Sequence, residues 1–590
     1  MKQKFLFGFG EHDMSRMVSL FLVMLFFSSH RVDAAELRLW FYLPANLLVD
    51  ENVDEGVALL QRAAKAGYNG VLLTDSKFCR WGQLPDRYES NVKRFREECR
   101  RLNLECFAAV CPVGYSNDLL SLDPNLAEGL PVIDAPFIVK DGTLVPEQPA
   151  TPILKNGGFE EHRNNMPTGW GFADDPGKIN FIDNGTKYEG NVSLRMQGDG
   201  TGEPRNARVM QKIDVKPFHY YHVSVMLKTE NFDSVAATNI AVIAPDGRQL
   251  NWHMPLLKKT EDWRRIDITF NSLEYTTLNL YFGTWGTRHG KIWWEDVRVE
   301  PAGFVNILRR DGTPLTVKSE DGKIIYIEEK DFEKIVDPKL GNDPYTGCFT
   351  AWHEQPAVRI PKESRIKEGQ RVLVSFTHTS IIYGEQVGCC MSNPKFPELL
   401  KWQIEQVHQN VEPDGYFMSH DEIRQCGWDG DCTATGKTPA EILADNVALC
   451  VQMIRKEDPD KPIAVWSDMF DPTHNAQKTG HYYHVKGNGP WFGSWEKLPH
   501  DVVVANWNSN PEIRGKSLKH FSQRGHPQIL AGYYDAEPID AIQDWIRDAA
   551  SCPGFCGVMY TTWEHRYDRL EAFAESVKRE WDHVPKKQPD

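Results

Sequence analysis

The chain has 590 residues, too many for one hydrophobic core, so two or three domains are expected. Its 41% apolar, 25% charged and 11% aromatic residues describe a folded globular protein and exclude a disordered or fibrous one. A net charge of -15 would repel a phosphate backbone, so nucleic acid is excluded as an expected partner.

The first element in the chain reads as an export signal. Residues 17–27 (MVSLFLVMLFF) follow Arg16, and Val32, Asp33 and Ala34 fit a cleavage site before Ala35. A signal peptide over 1–34 predicts an exported protein: periplasmic, extracellular or at the cell surface. The run is too short for an ordinary anchor helix and no second one follows, so no stable membrane insertion is expected. Twelve cysteines include no CxxC pair and no zinc-like spacing. Export permits disulfides, with Cys426/Cys432 and Cys552/Cys556 as candidate pairs, but most cysteines are expected to be buried small apolar groups.

From residue 36 strands and helices alternate. Residues 37–43 (LRLWFYL), 70–75 (GVLLTD) and 106–110 (CFAAV) are apolar runs of strand length, separated by helical patterns that include Val53, Val57, Leu60 and Ala64 before Gly67. Continuous apolar strands alternating with helices imply a parallel sheet covered on both faces. That first part is placed at 36–150. Residues 151–302 instead show short alternating strands, such as 221–228 (YHVSVMLK) and 265–270 (RIDITF), the pattern of an antiparallel sandwich. A β-rich extension at 303–385 includes 372–376 (VLVSF).

The β/α rhythm resumes over 386–590. Strands are expected at 415–418, 463–466, 502–507, 528–533 and 557–562, with a capping box at Thr438, Pro439, Ala440 and Glu441. With 372–376 outside, the strands total eight, the number of a closed (β/α)8 TIM barrel. The fold class is therefore α/β, a barrel interrupted by an all-β jelly-roll sandwich, with an open doubly wound sheet as the alternative.

Chemistry in such a barrel sits where strands end. These ends carry His420, Asp421 and Glu422; Trp466 and Asp468; Trp507; Tyr533; and Trp563 and Glu564. Hydroxyl-binding polar groups among aromatic walls suit a pyranose. The bland alternative is that the aromatics cap the barrel core and the acids cap helices. Asp421 and Glu422 are the sharpest pair: glycoside cleavage needs a proton donor and a group that stabilises an oxocarbenium-like centre. Neighbours in a strand face opposite ways, but a turn at the strand end lets both carboxylates converge.

The run 415–422 (GYFMSHDE) resembles the fourth-strand motif of β-N-acetylhexosaminidases, glycoside hydrolase family twenty; 466–469 (WSDM) and 561–563 (TTW) resemble that family too. The resemblance implies an exported glycoside hydrolase acting on an N-acetylhexosaminide by substrate-assisted retaining catalysis. It makes Asp421 the orienter of the acetamido group and Glu422 the acid/base, with Trp466, Trp507 and Trp563 walling the sugar. The family's two glycines before the acidic pair are replaced by Ser419 and His420, and Arg38 and Arg80 are the candidates for its sugar-clamping arginine. A glycosidase pairing Glu422 with Asp468 or Glu564, and a non-catalytic carbohydrate-binding scaffold, remain open. No cofactor is expected for catalysis, and an oligo- or polysaccharide is the expected partner.

Within 151–302, 156–160 (NGGFE), 167–170 (PTGW), 190–195 (GNVSLR) and 293–297 (WWEDV) resemble galactose-binding-like carbohydrate-binding modules. That resemblance implies a structural calcium with Glu160 and Asp296 among its ligands, and a sugar platform at Trp252, Tyr281 and Trp285, which could equally be sheet-core aromatics.

Overall fold

The structure, a computed structural model, describes residues 37–584. The expected signal peptide lies outside the described residues. Eight parallel strands close into a barrel in chain order: Arg38–Pro44, Gly70–Thr74, Glu105–Val110, Gly415–Met418, Ile463–Trp466, Val503–Asn506, Gln528–Tyr533 and Phe555–Thr561. The eighth pairs back onto the first through Leu39 and Val558. Alternation decides which side chains fill the cylinder. Trp40 and Tyr42 point inside with Leu72, Phe107, Phe417 and Trp466, whereas Leu39, Phe41 and Leu43 face the helices. Trp40 and Phe107 meet at 4.2 Å between ring centroids. Gly70, the register partner of Trp40, leaves room for that indole: a Cβ there would lie 2.3 Å from the ring.

Helices Asp50–Ala66, Asp86–Arg101, Phe396–Val411, Pro439–Glu457, Arg514–Gln523, Ala541–Ala549 and Leu570–Trp581 cover the barrel. The connection over 467–502 carries no α-helix, only the short 3-10 turns Asp468–Phe470 and Ser494–Lys497 and the two-residue strand His484–Val485, so the ring of helices is one short of a full (β/α)8 set. Thr438 and Glu441 form the expected capping box, each side chain accepting the other residue's backbone N–H.

The barrel is interrupted after its third strand. Two five-stranded antiparallel sheets, built from strands between Phe172 and Pro301, pack face to face around Leu194, Val209, Leu227, Ile268, Leu280 and Trp294. A third five-stranded sheet joins Arg371–His378 to Leu130–Lys140 and Thr143–Pro146. Residues 130–146, grouped with the first barrel part by the sequence reading, thus belong to the sheet of the β-rich extension. All twelve cysteines are free thiols, ten of them buried, so neither candidate disulfide is formed. Among the described residues no helix is long and apolar enough to cross a membrane.

Phe107 is fully buried in the barrel interior. Phe107→Ala should destabilise the fold by about 3–5 kcal/mol in urea unfolding, because the closed cylinder cannot collapse around the void.

Candidate active site

Strand parity places the acidic pair. Phe417 belongs to the barrel interior and Met418 to the outer cluster, so the same alternation carries Asp421 inward and His420 outward. His420 is fully buried, with Nε2 2.9 Å from Asn446 Oδ1 on helix Pro439–Glu457. It braces strand to helix and does not face the mouth, contrary to its expected place among sugar-binding residues. Glu422 adopts a left-handed φ of 46°. Such backbone costs about 1–3 kcal/mol outside glycine and persists where surroundings enforce it. Glu422 stays close enough for its charge to act on the Asp421 carboxyl.

The surroundings of Glu422 are polar on every side. Its carboxylate accepts from the Tyr115 hydroxyl and pairs with Arg424 at 2.9 Å, and its N–H donates to Asp468 Oδ2 at 2.9 Å. Its carbonyl accepts from Gln386 Nε2 at 2.8 Å. Arg424 is buried, with Tyr383 and Tyr483 ring centroids 4.4 and 5.1 Å from its guanidinium carbon. Asp421 lacks such partners. Burial, then the charges of Asp468 and Glu422, push its carboxyl well above the ordinary aspartate range. The two neighbouring acids thus stand in opposite environments.

Asp468 is fully buried and works as a tie. Besides Glu422 N–H it accepts from Asn475 Nδ2 at 2.8 Å and from Trp507 Nε1 at 3.1 Å, joining the ends of strands four, five and six. Burial also raises its carboxyl. Trp466 and Tyr42 are buried at the top of the barrel filling, and half-exposed Trp563 lies over them, 4.6 Å from Tyr42 and 6.3 Å from Trp466 between centroids. Tyr533 is likewise exposed at the seventh strand end. Glu564 lies outside the carboxylate cluster: its side chain pairs with Arg566 at the surface.

The sequence reading missed Tyr115, Tyr383, Gln386, Arg424 and Tyr483. Arg424 carried one signal, its position two residues beyond Glu422. The others arrive from the third-strand loop, the end of the insertion and the fifth-strand loop. The proposed clamp residues stand elsewhere. Arg38 begins strand one and lies 5.8 Å from the Trp40 ring, at the opposite end of the barrel. Arg80 sits just past the short turn Ser76–Cys79, outside this group. At the second strand end, Asp75 is a structural cap, accepting from Leu47 N–H, Lys77 N–H and Tyr88 O–H, and burial pushes its carboxyl up to about 6. A cleft of about 990 Å³ opens beside the first two strand ends, lined by Asn46, Arg62, Thr74, Lys77 and Tyr567; the acidic cluster does not line it.

The sandwich reaches this site. Trp252 N–H donates to Ile382 O at 2.8 Å, next to Tyr383, and buried Arg248 donates to the carbonyls of Tyr483 and Val485 at 2.5 and 2.6 Å. Trp252, Trp285 and Tyr281 form a half-buried aromatic run, with 5.0 Å between the two tryptophans. The two acids that the resemblance assigns to calcium have protein partners of their own. Glu160 is taken by Asn191 and Val192 N–H groups, and Asp296 by Arg298 at 2.7 Å. Glu295, its neighbour, is the buried acid there and accepts from Tyr188 and Glu189.

No known protein family matches the sequence. No curated protein matches it. Solved structures with partial likeness include a family 16 carbohydrate-binding module (16% identity over 25% of this chain and 99% of that one, TM-score 0.20). Another is the xylan-binding domain from Paenibacillus barcinonensis (16% identity, 25% and 91%, TM-score 0.18). A rhamnosidase from Novosphingobium sp. PP1Y overlaps 90% of this chain and 55% of its own, at 12% identity and TM-score 0.31. These likenesses are too distant to assign a family or an activity.

Gly114 is packed against the acidic pair: a Cβ there would lie 1.9 Å from the Asp421 carbonyl oxygen. Gly114→Ala should displace the strand-four end, lowering stability by about 1–3 kcal/mol in thermal or urea melts.

Proposed function

We propose that the chain is a glycoside hydrolase whose reacting carboxyls are Asp421 and Glu422. The observation that carries the reading is the pair itself: adjacent acids beside Asp468 at an aromatic-walled barrel mouth, one driven toward neutrality and the other held by a cation. Glycosidic cleavage requires that asymmetry.

In this reading Asp421 keeps its proton and delivers it to the glycosidic oxygen as the C1–O bond breaks. The Glu422 carboxylate, fixed by Arg424 and Tyr115, stabilises or bonds the electron-poor anomeric carbon. Water then adds to C1, any C1–O bond to Glu422 breaks and releases its carboxylate, and the water's proton goes to the Asp421 carboxylate, restoring the acid. The resemblance to hexosaminidases implies the reverse, with Glu422 as acid/base and Asp421 as orienter of an N-acetyl group; the Arg424 ion pair of Glu422 favours the assignment made here. Trp466, Trp507, Trp563 and Tyr533 serve as the sugar's walls. The aromatic run at Trp252 and Trp285, bonded to the segment that carries Tyr383, supports a chain of sugars as substrate over a single residue. Secretion, as the leader suggests, would place the enzyme where polysaccharides are met.

A panel of chromogenic glycosides that includes N-acetylhexosaminides tests the activity. Asp421→Asn and Glu422→Gln should each lower kcat/KM by about 10²–10⁴-fold while thermal stability is retained. Glycan binding without hydrolysis of any member would replace the enzyme with a binding scaffold, and full activity in both variants would remove these residues from the chemistry.

The pH profile tests the roles. A folded Asp421 raised above the ordinary aspartate value stays protonated as pH rises through the range where a free aspartate ionises. Activity should therefore hold there and fall at higher pH, as Asp421 finally loses its proton. Asp468→Asn removes one of the like charges and should move that fall to lower pH in kcat/KM profiles.

A further inference from the structure

The insertion leaves and re-enters the barrel through one crossing. Residues 126–128 run antiparallel to 388–390: Glu128 N–H donates to Gly388 O and Cys390 N–H to Leu126 O, at 2.9 and 2.8 Å. The loop after strand four packs onto the crossing, and there Glu128, Cys390, Asp429 and Cys432 turn their side chains together. All four are buried, and their sulfur and oxygen atoms lie within 4.8 Å of one another.

The separations have a chemical meaning. Zinc bonds of about 2.3 Å to thiolate and about 2.0 Å to carboxylate, set at tetrahedral angles, put sulfur about 3.8 Å from sulfur and about 3.5 Å from oxygen. Here Cys390 Sγ lies 3.8 Å from Cys432 Sγ, Cys432 Sγ lies 3.4 Å from Glu128 Oε2, and Cys390 Sγ lies 3.6 Å from Asp429 Oδ1.

The polar partners are also those of a metal centre. Arg310 donates to Asp429 Oδ2 at 2.5 Å and to Asp431 Oδ2 at 2.8 Å, as an outer-shell partner orients a carboxylate, while Asp429 Oδ1 accepts the Cys432 N–H at 2.9 Å and lies 3.6 Å from Cys390 Sγ. Glu128 accepts one backbone N–H, from Gly427 at 3.0 Å, and otherwise meets the Cys432 thiol; the nearby Arg310 guanidinium is bonded to Asp429 and Asp431 instead.

We propose that Glu128, Cys390, Asp429 and Cys432 form a closed structural site for a tetrahedral dication, Zn²⁺ by its ligand chemistry. Four protein ligands and full burial leave no position for water or substrate, so the ion staples the crossing and does not enter the reaction. Binding exchanges the thiol protons of Cys390 and Cys432, and any proton on Glu128, for the metal. The inference stands independently of the hydrolase reading.

The purified full chain, dialysed against metal-free buffer after loading with Zn²⁺, should retain about one zinc per chain by elemental analysis. Cys390→Ser and Cys432→Ser should lose it. Replacement by Co²⁺ in the wild type should give the intense visible bands of a tetrahedral site and a sulfur-to-cobalt charge-transfer band, a readout that does not depend on the variants folding. Chelation should lower the melting temperature. Zinc-free protein after loading, octahedral cobalt spectra, or a mapped disulfide joining Cys390 to Cys432 would each overturn the site.

Discussion

The pairing of strand Gly415–Met418 with strand Glu105–Val110 is the constraint on which the rest of the molecule hangs. Residues 111–414 intervene, yet Gly415 must meet Phe107 in parallel register for the cylinder to close. Closing so long a loop has an entropic cost, but that cost grows only slowly with length, and a folded excursion has its own packed core to offset it. The insertion supplies that core in its sandwich and extension sheets, and the two chain ends of the excursion are bonded to each other at 126–128 and 388–390. Strand four is thereby delivered into place with its C-terminal acids at the mouth.

Electrostatic division of labour at that mouth follows from which loop supplies which partner. Arg424 lies in the same loop as Glu422 and is pressed between tyrosines from two other segments. A guanidinium so enclosed cannot lose its charge and is weakly hydrated, which suits it to a buried carboxylate pair. Asp421, one residue earlier but facing the barrel axis, meets Asp468 and no cation of its own. Two residues adjacent in sequence thus have different neighbours: a buried guanidinium for Glu422, and the charges of Asp468 and Glu422 for Asp421.

Much of this fold was legible in the sequence because its signals are local. Apolar runs marked all eight barrel strands, Thr438 and Glu441 marked a helix start, and the short alternating strands marked the sandwich. Pairing between distant segments left no such mark: residues 130–146 read as part of the barrel because nothing nearby shows that Val132 and Phe137 meet Phe376 and Val372. The acidic pair was visible from its place after an apolar strand. His420 was misplaced because its facing was not counted from Phe417, whose inward direction fixes it. Tyr115, Tyr383 and Gln386 could not be seen, since each reaches Glu422 or Arg424 from a remote stretch of chain. The same holds for the four-residue cluster beneath the loop, whose members have no regular spacing.

Arg248 gives the sandwich a standing that its outline does not suggest. Its guanidinium is sealed from water while it caps two carbonyls of the barrel's fifth connection, the one that lacks an α-helix. The module therefore replaces missing regular structure as a buttress. Trimming the protein to a minimal barrel would strand those carbonyls and unseat Tyr483 from the Glu422 clamp, so the two architectures form one inseparable machine part rather than a tool with a detachable handle.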